Sequence, residues 1–330
     1  MMSPLPLFAR ALRCAAAVFA FTVLLSGCDS SSRIEDYVPT RVISFGDELS
    51  LIKGDGSKYT INGFTSGTTT RDCTVNPVWN QSLASNFGLA FPACKPATLA
   101  IANGSMNAVQ GVSVAGVETQ VNAVASSEFV PSTLVTIQGG MWDVISAYNT
   151  YKTNANRDAA FVLVRAAGAQ LAGLVNRIAN NGAGARVLYA TVPDLGYSPL
   201  AITEQAAAGT CVVDCRQFLI DLSAAFNESL RVNVLNDGRY AGLVAFDDML
   251  RSMANPTIRT TVYGLINTDA ATSVAACTNP DTSLCDTTTL VPELAGSATG
   301  YLWASDRLPG PNWHSRVAGV AITRARNNPF

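Results

Sequence analysis

The sequence predicts an α/β fold, a mainly parallel β-sheet covered by helices on both faces. Apolar runs of strand length, such as residues 41–45 and 134–138, alternate with segments whose apolar side chains recur every three to four positions. The strand runs are continuous rather than alternating, as expected for strands buried on both faces. This order of elements is the pattern of a parallel sheet with crossover helices. Turn-forming pairs follow the strand runs at Gly46-Asp47, Gly139-Gly140 and Pro193-Asp194. Ligands in such sheets bind outside the carboxyl ends of the strands, so these turns are where a site is sought.

The elements follow in order. Arg41-Val42-Ile43-Ser44-Phe45 reads as a buried strand that runs into the Gly46-Asp47 turn. Trp79, Leu83 and Phe87 recur at spacing four, with Gly88 as a helix stop. Val117, Val121 and Val124 mark a further short helix. Residues 134–138 are largely β-branched and form the next strand, followed by a long helix striped with Phe161, Val164, Leu171, Leu174, Val175 and Ile178 and ending before Gly182. Residues 186–192 are the third strand, 215–235 a helix carrying Phe218, Leu222, Phe226 and Leu230, and 243–246 the fourth strand. The last helix starts near Asn312 and carries Val317, Val320 and Ala321. The stretches 53–78 and 267–300, rich in Thr, Asn and Gly, read as long surface excursions pinned by disulfides.

The N-terminus is a targeting segment. Arg10 and Arg13 precede an apolar run at 14–25 that is shorter than the roughly 20 residues of a membrane-spanning helix. Leu25-Ser26-Gly27-Cys28 resembles the lipobox of bacterial lipoproteins. The resemblance implies cleavage of residues 1–27, lipidation of Cys28, a polar tether through residue 40, and one domain over 41–330. It places the protein in the bacterial cell envelope, anchored to a membrane on the periplasmic face or at the outer membrane. Without Arg10 and Arg13 the chain carries 20 basic and 24 acidic side chains. A mild negative charge of this kind gives no electrostatic footprint for nucleic acid.

Six further cysteines, Cys73, Cys94, Cys211, Cys215, Cys277 and Cys285, form an even set in an exported chain, which predicts disulfides. Each of the pairs 73–94, 211–215 and 277–285 brackets a polar or irregular stretch, and that local connectivity is the expected one. A metal site is not expected, because there is no C-x-x-C pair and the single histidine, His314, is distant in sequence.

Four blocks and a fifth near the C-terminus carry a family resemblance. Gly46-Asp47-Glu48-Leu49 resembles the first signature of the SGNH, or GDSL, hydrolases, Asn107 to Gly111 the second, Gly140-Met141-Trp142-Asp143 the third, and Asp306-Arg307-Leu308-Pro309 the last. Pro193-Asp194-Leu195-Gly196 is similar to a turn of the secreted bacterial branch. The resemblance spans residues 41 to about 325. It implies a three-layer α/β/α fold with a flavodoxin-like sheet, and hydrolysis of carboxylic esters or acetylated sugars without metal or cofactor.

The departures fall on the chemistry. Glu48 stands at the nucleophile position in place of serine. Trp142 stands in place of the asparagine that completes the oxyanion hole. Pro309 directly follows Leu308 where the family has a histidine. Of the mechanism's residues, the resemblance leaves Gly111 as an oxyanion-hole donor and Asp306 as the acid of the base. His314 lies eight residues beyond Asp306, past Pro309-Gly310-Pro311, and is expected as a surface or helix-cap residue, with the role of base as the alternative. A serine mechanism needs a proton acceptor that titrates near neutrality, and this chain has one imidazole. Ser50 is the nearby serine that a shifted register would bring into play.

Glu48 is expected at the surface, as a loop acid or a solvent-facing remnant of the site, and Trp142 as a packing residue that fills the acyl pocket. A sharper expectation is that the Glu48 carboxylate turns into the oxyanion hole and accepts N–H bonds from its own turn and from Gly111. The leading functional expectation is a catalytically degenerate envelope lipoprotein that binds an acyl-ester or glycan ligand or an envelope protein partner. The alternatives are an active carboxylic-ester hydrolase using a rearranged Glu48, Asp306 and His314, and a purely structural lipoprotein.

Overall fold

The computed structural model describes residues 37–181, 183–207, 214–235, 238–327 and 330. The leader, Cys28 and most of the tether lie outside the described residues. The chain forms β1 (Arg41–Phe45), α1 (Trp79–Asn86), β2 (Gly104–Met106), α2 (Val114–Asn122), β3 (Thr133–Ile137), α3 (Met141–Asn154) and α4 (Arg157–Ala179). It continues through β4 (Arg186–Ala190), α5 (Pro199–Ala206), α6 (Cys215–Asn233), β5 (Ala241–Val244), α7 (Phe246–Ala254), the short α8 (Ala270–Ser273) and α9 (Pro311–Arg326).

The five strands form one parallel sheet in the order β2-β1-β3-β4-β5. That is the flavodoxin-like order, with its topological switch beside β1. β1 and β3 pair in register from Arg41 with Thr133 to Phe45 with Ile137, which brings the turns after both strands side by side. Helices α2, α3, α4 and α6 pack together on one face, and α1, α7 and α9 on the other, giving the expected three layers.

The core follows the apolar patterning. Val42, Ile43, Phe45, Leu134, Val135, Ile137, Val187 and Leu188 are all buried, as continuous strand runs require. On α4 the stripe Val164, Leu171, Leu174, Val175 and Ile178 is buried, each side chain contributing about 1.5–3 kcal/mol by its removal from water. Polar caps set helix starts. Asn156 accepts from the Ala159 N–H at α4, and Asp214 from the Gln217 N–H at α6.

The structure corrects several sequence expectations. Among the described residues there are five strands, not four: β2 is a half-buried three-residue strand without an apolar run to betray it. The long helix striped by Phe161 to Ile178 is present as α4, and a further helix, α3, precedes it, the two divided where Ala155 takes a left-handed φ of 57°. The strand expected over 243–246 is β5, and Phe246 already begins α7. Val320 is 39% exposed and lies off the buried stripe of α9.

The two excursions are not merely surface. Ser57 through Gly63 is buried, and Asn62 laces one excursion to the other. Its backbone N–H and its side-chain amide both reach the Cys285 carbonyl, at 2.9 and 3.0 Å, and the amide also reaches the carbonyls of Thr282 and Ser283. Lys58 is buried in the same segment, its ammonium donating to the carbonyls of Cys73 and Val75 at 3.1 and 2.7 Å. Disulfides join Cys73 to Cys94 and Cys277 to Cys285, with Cα separations of 5.4 and 5.8 Å. Cys215 is also disulfide-bonded, while Cys211 lies outside the described residues.

Candidate functional site

The site begins at the end of β1. Gly46 has a φ of 148°, and a Cβ there would stand 2.4 Å from Gln138 Nε2 and 2.9 Å from the Gln138 carbonyl, so the turn admits only glycine. Its N–H donates to Gln120 Oε1 and its carbonyl accepts from Gln120 Nε2, both at 2.8 Å. The same carbonyl accepts the Val109 N–H at 3.0 Å, which lays the loop after β2 against the turn.

Asp47 is fully buried. Its Oδ1 accepts from the Leu49 N–H at 3.0 Å and from Gln138 Nε2 at 2.6 Å, while Oδ2 has no partner among the described residues. Burial pushes its pKa up to about 7, and the neighbouring Glu48 carboxylate adds to the rise.

Glu48 is 3% exposed, not the solvent-facing acid expected. Its side chain turns inward to two donors. Oε1 accepts the Gly111 N–H at 3.0 Å, and Oε2 accepts the Trp142 indole N–H at 2.9 Å. The turn itself gives Glu48 nothing: the Leu49 and Ser50 N–H groups go to Asp47. The position of Gly111 follows from the loop after β2, and that of Trp142 from the first turn of α3, directly after β3. Asp143 locks these two elements together by accepting the Val114 N–H of α2 at 2.9 Å, and burial raises its pKa.

Trp142 is half-buried, and the Arg307 guanidinium lies 5.3 Å from its ring centre. Arg307 in turn makes two bonds to Asp306, at 3.0 and 2.6 Å. Asp306 is thus committed to its neighbour rather than to an imidazole. Glu48, Tyr59, Gln110, Trp142, Asp306 and Arg307 border one cleft of about 350 Å³. Tyr59 donates its hydroxyl to Gln110 Oε1. Trp142 also borders a second hollow of about 370 Å³ along α3, shared with Ser146, Asn149 and Thr153.

The structure therefore gathers Glu48, Gly111, Trp142 and Asp306 into one neighbourhood, and it leaves two candidates out. His314 is completely buried in the first turn of α9, not at the surface, and does not border the cleft. That turn is covered because Asn312 is tied to the carbonyls of Tyr263 and Thr299, at 2.7 and 3.1 Å. Neither ring nitrogen of His314 has a hydrogen-bond partner among the described residues. Burial drives its pKa down to about 3, aided by the charge of Lys58. Ser50 is also buried, and its hydroxyl accepts the Trp79 indole N–H at 3.1 Å on the core side of the turn.

The Pro193-Asp194 block forms a structural corner. Asp194 accepts the Gly196 N–H at 3.2 Å and pairs with Arg251 at 3.4 Å. Burial pushes its pKa up to about 6 despite these partners. Among the described residues no group of three His, Cys, Asp or Glu side chains is placed to hold a metal. Tyr59 and Arg307 were not singled out from sequence. Arg307 adjoins Asp306 and was open to the same reasoning, whereas nothing in the 53–78 stretch marks Tyr59.

No family model and no curated protein matches this chain. Three solved structures are similar to it over most of its length. One is a lipase from a goat rumen metagenome, at 9% identity and a TM-score of 0.49, covering 88% of this chain and 99% of its own. Another is phospholipase A1 from Streptomyces albidoflavus NA297, at 14% identity and a TM-score of 0.43, covering 88% and 100%. The third is an acetylxylan esterase from Geobacillus stearothermophilus, at 11% identity and a TM-score of 0.39, covering 89% and 98%. At such identities activity does not transfer, and the chemistry has to be read from the residues of the cleft itself.

Proposed function

We propose that this chain is an SGNH-hydrolase-like envelope lipoprotein whose ester-cleaving site has become a binding cleft. The observation that carries the reading is the Glu48 carboxylate, buried and bonded through both oxygens to the Gly111 N–H and the Trp142 indole N–H. In an SGNH site a serine alkoxide would occupy this position, and donors of this kind would face the carbonyl oxygen of the ester. Here the donors are already engaged by an anion the protein supplies itself. A carboxylate so held cannot take the part of an alkoxide in ordinary ester cleavage.

The base is missing as well. The single imidazole is buried away from the cleft and held neutral, and Asp306 is bonded to Arg307. Loss of the nucleophile or the base of a triad costs roughly a millionfold in turnover, on the order of 8 kcal/mol of barrier. The retained role is capture of an acyl-ester or glycan ligand, or of an envelope protein, by the cleft beside Trp142. Lipidation at Cys28 rests on the lipobox alone and holds the domain at the membrane.

The test is an ester-hydrolysis assay of the full-length protein in detergent. Acetate, butyrate and palmitate esters of p-nitrophenol are the substrates, with Glu48→Ala run alongside. The expected result is turnover no greater than that of the variant. Turnover that Glu48→Ala abolishes would overturn the proposal and establish a rearranged catalytic site.

A further inference from the structure

We propose that the groove along α9, which shares no residue with the cleft, binds an elongated ligand bearing oxyanion groups at both ends, polyphosphate-like in its spacing of charge. The groove has a volume of about 1020 Å³ and runs between α9, the Tyr263-Gly264 turn and the approach to α1. Arg316 and Arg324 both border it, and no Asp or Glu does. The chain as a whole has more acids than bases, and Arg41, Arg157, Arg231, Arg251, Arg259 and Arg307 are each ion-paired. Arg316 and Arg324 make no ion pair among the described residues. Arg316 lies over the Tyr263 ring and donates to the Val262 carbonyl at 3.3 Å. Two arginines bordering an acid-free hollow offer guanidinium forks, which bind oxyanions through paired N–H donors.

The spacing selects for length. Arg316 and Arg324 are eight residues apart on one helix, a rise of about 12 Å. A single phosphate is too small to meet both forks in full, whereas a chain of linked phosphates engages both. Ser315 and Asn327 border the same groove and add neutral donors.

Gly319 is the second, independent observation. It sits inside α9 between the two arginines, where glycine costs about 1 kcal/mol relative to alanine. Packing does not require it, since a Cβ there would meet nothing within 4 Å. Its effect is to leave the floor of the groove open for close approach along the helix.

The test is calorimetric titration of the full-length protein in amphipol at low salt with sodium tripolyphosphate, orthophosphate and dihexanoyl-phosphatidylglycerol. Arg316→Glu/Arg324→Glu and Gly319→Leu are compared, with thermal melts to show that both variants fold. The expected result is tripolyphosphate binding at least tenfold tighter than orthophosphate, weakened at least tenfold by the double charge reversal and by the groove-filling leucine. Phosphatidylglycerol, which carries a single phosphate, is expected to bind no more tightly than orthophosphate; binding as tight as that of tripolyphosphate would show that the groove does not select for linked oxyanions and would overturn the proposal. Failure of tripolyphosphate to bind, or affinity unchanged in both folded variants, would overturn the proposal.

Discussion

Glu48 and Trp142, the two residues that depart from the SGNH pattern at the nucleophile and oxyanion positions, are bonded to each other: the indole N–H donates to Oε2 at 2.9 Å. The two residues therefore form one hydrogen-bonded arrangement. Trp142 contributes the donor that a buried carboxylate requires, and Gly111 contributes the other.

This coupling predicts non-additive energetics. Trp142→Phe removes the donor and leaves a buried carboxylate oxygen unsatisfied, which costs about 1–3 kcal/mol. In a Glu48→Gln background the same change costs less, because the charge is gone. Urea unfolding of the four proteins is expected to give a coupling energy of about 1 kcal/mol or more. Strict additivity would mean that the bond contributes nothing in solution.

Emptying the position exposes its donors. Glu48→Ala frees the Gly111 N–H and the Trp142 indole N–H toward the cleft, and acetate is expected to take the place of the lost carboxylate. Saturable acetate binding, read as a rise in melting temperature, is predicted for Glu48→Ala, and none for the parent. Adding Trp142→Phe to the variant should remove it. Equal response of parent and variant would show that the donors are not selective for a carboxylate.

Asp47 and His314 give stability opposing slopes with pH. The Asp47 pKa rises from 3.8 to about 7 on folding. The folded state thus holds a proton that the unfolded chain releases, and stability falls as pH rises from about 4 to about 7. The His314 pKa drops from 6.5 to about 3. There the unfolded chain binds the extra proton, so stability is lost as pH falls from about 6.5 to about 3. Between about pH 4 and 6.5 the two trends offset each other. Relative to the parent, Asp47→Asn is expected to tilt the profile toward stability that rises with pH in this window, and His314→Leu toward stability that falls, measured by denaturant midpoints. Parallel profiles for the two variants would contradict the assignment.

Asn62 is the predicted weak point of the periphery. Its amide serves carbonyls at Thr282, Ser283 and Cys285, and its Oδ1 accepts the Lys58 N–H at 2.8 Å. Asn62→Ala should cost about 1–3 kcal/mol and open residues 53–78 and 267–300 to protease together. Cleavage confined to one of the two stretches would show that they are not joined through this residue.

The legible parts of the chain were those with local signals. β1, β3 and β4 announce themselves as continuous apolar runs, and the blocks that carry Glu48, Gly111 and Trp142 lie in the segments that follow β1, β2 and β3, while that of Asp306 precedes α9. β2 could not be read, because Gly104-Ser105-Met106 is held by pairing with β1 and not by its own pattern. The break between α3 and α4 falls at Ala155, which has no glycine to mark its left-handed turn. His314 looked like a surface residue beside a Pro-Gly-Pro segment. Its burial comes from loops remote in sequence, which periodicity does not register. Tyr59 reaches the cleft for the same reason, because its excursion folds inward.

The hydrogen-bonded trio of Glu48, Gly111 and Trp142 has an evolutionary corollary on the proposed reading. A mutational path back to hydrolysis would begin by breaking up an arrangement in which every member is satisfied. Restoring serine at 48 leaves the indole donor facing an empty hollow, restoring asparagine at 142 takes the indole N–H from a buried carboxylate, and neither change supplies an imidazole. With each first step unrewarded, selection has no gradient to climb, and the cleft behaves as a ratchet that holds the lineage to whatever it now binds.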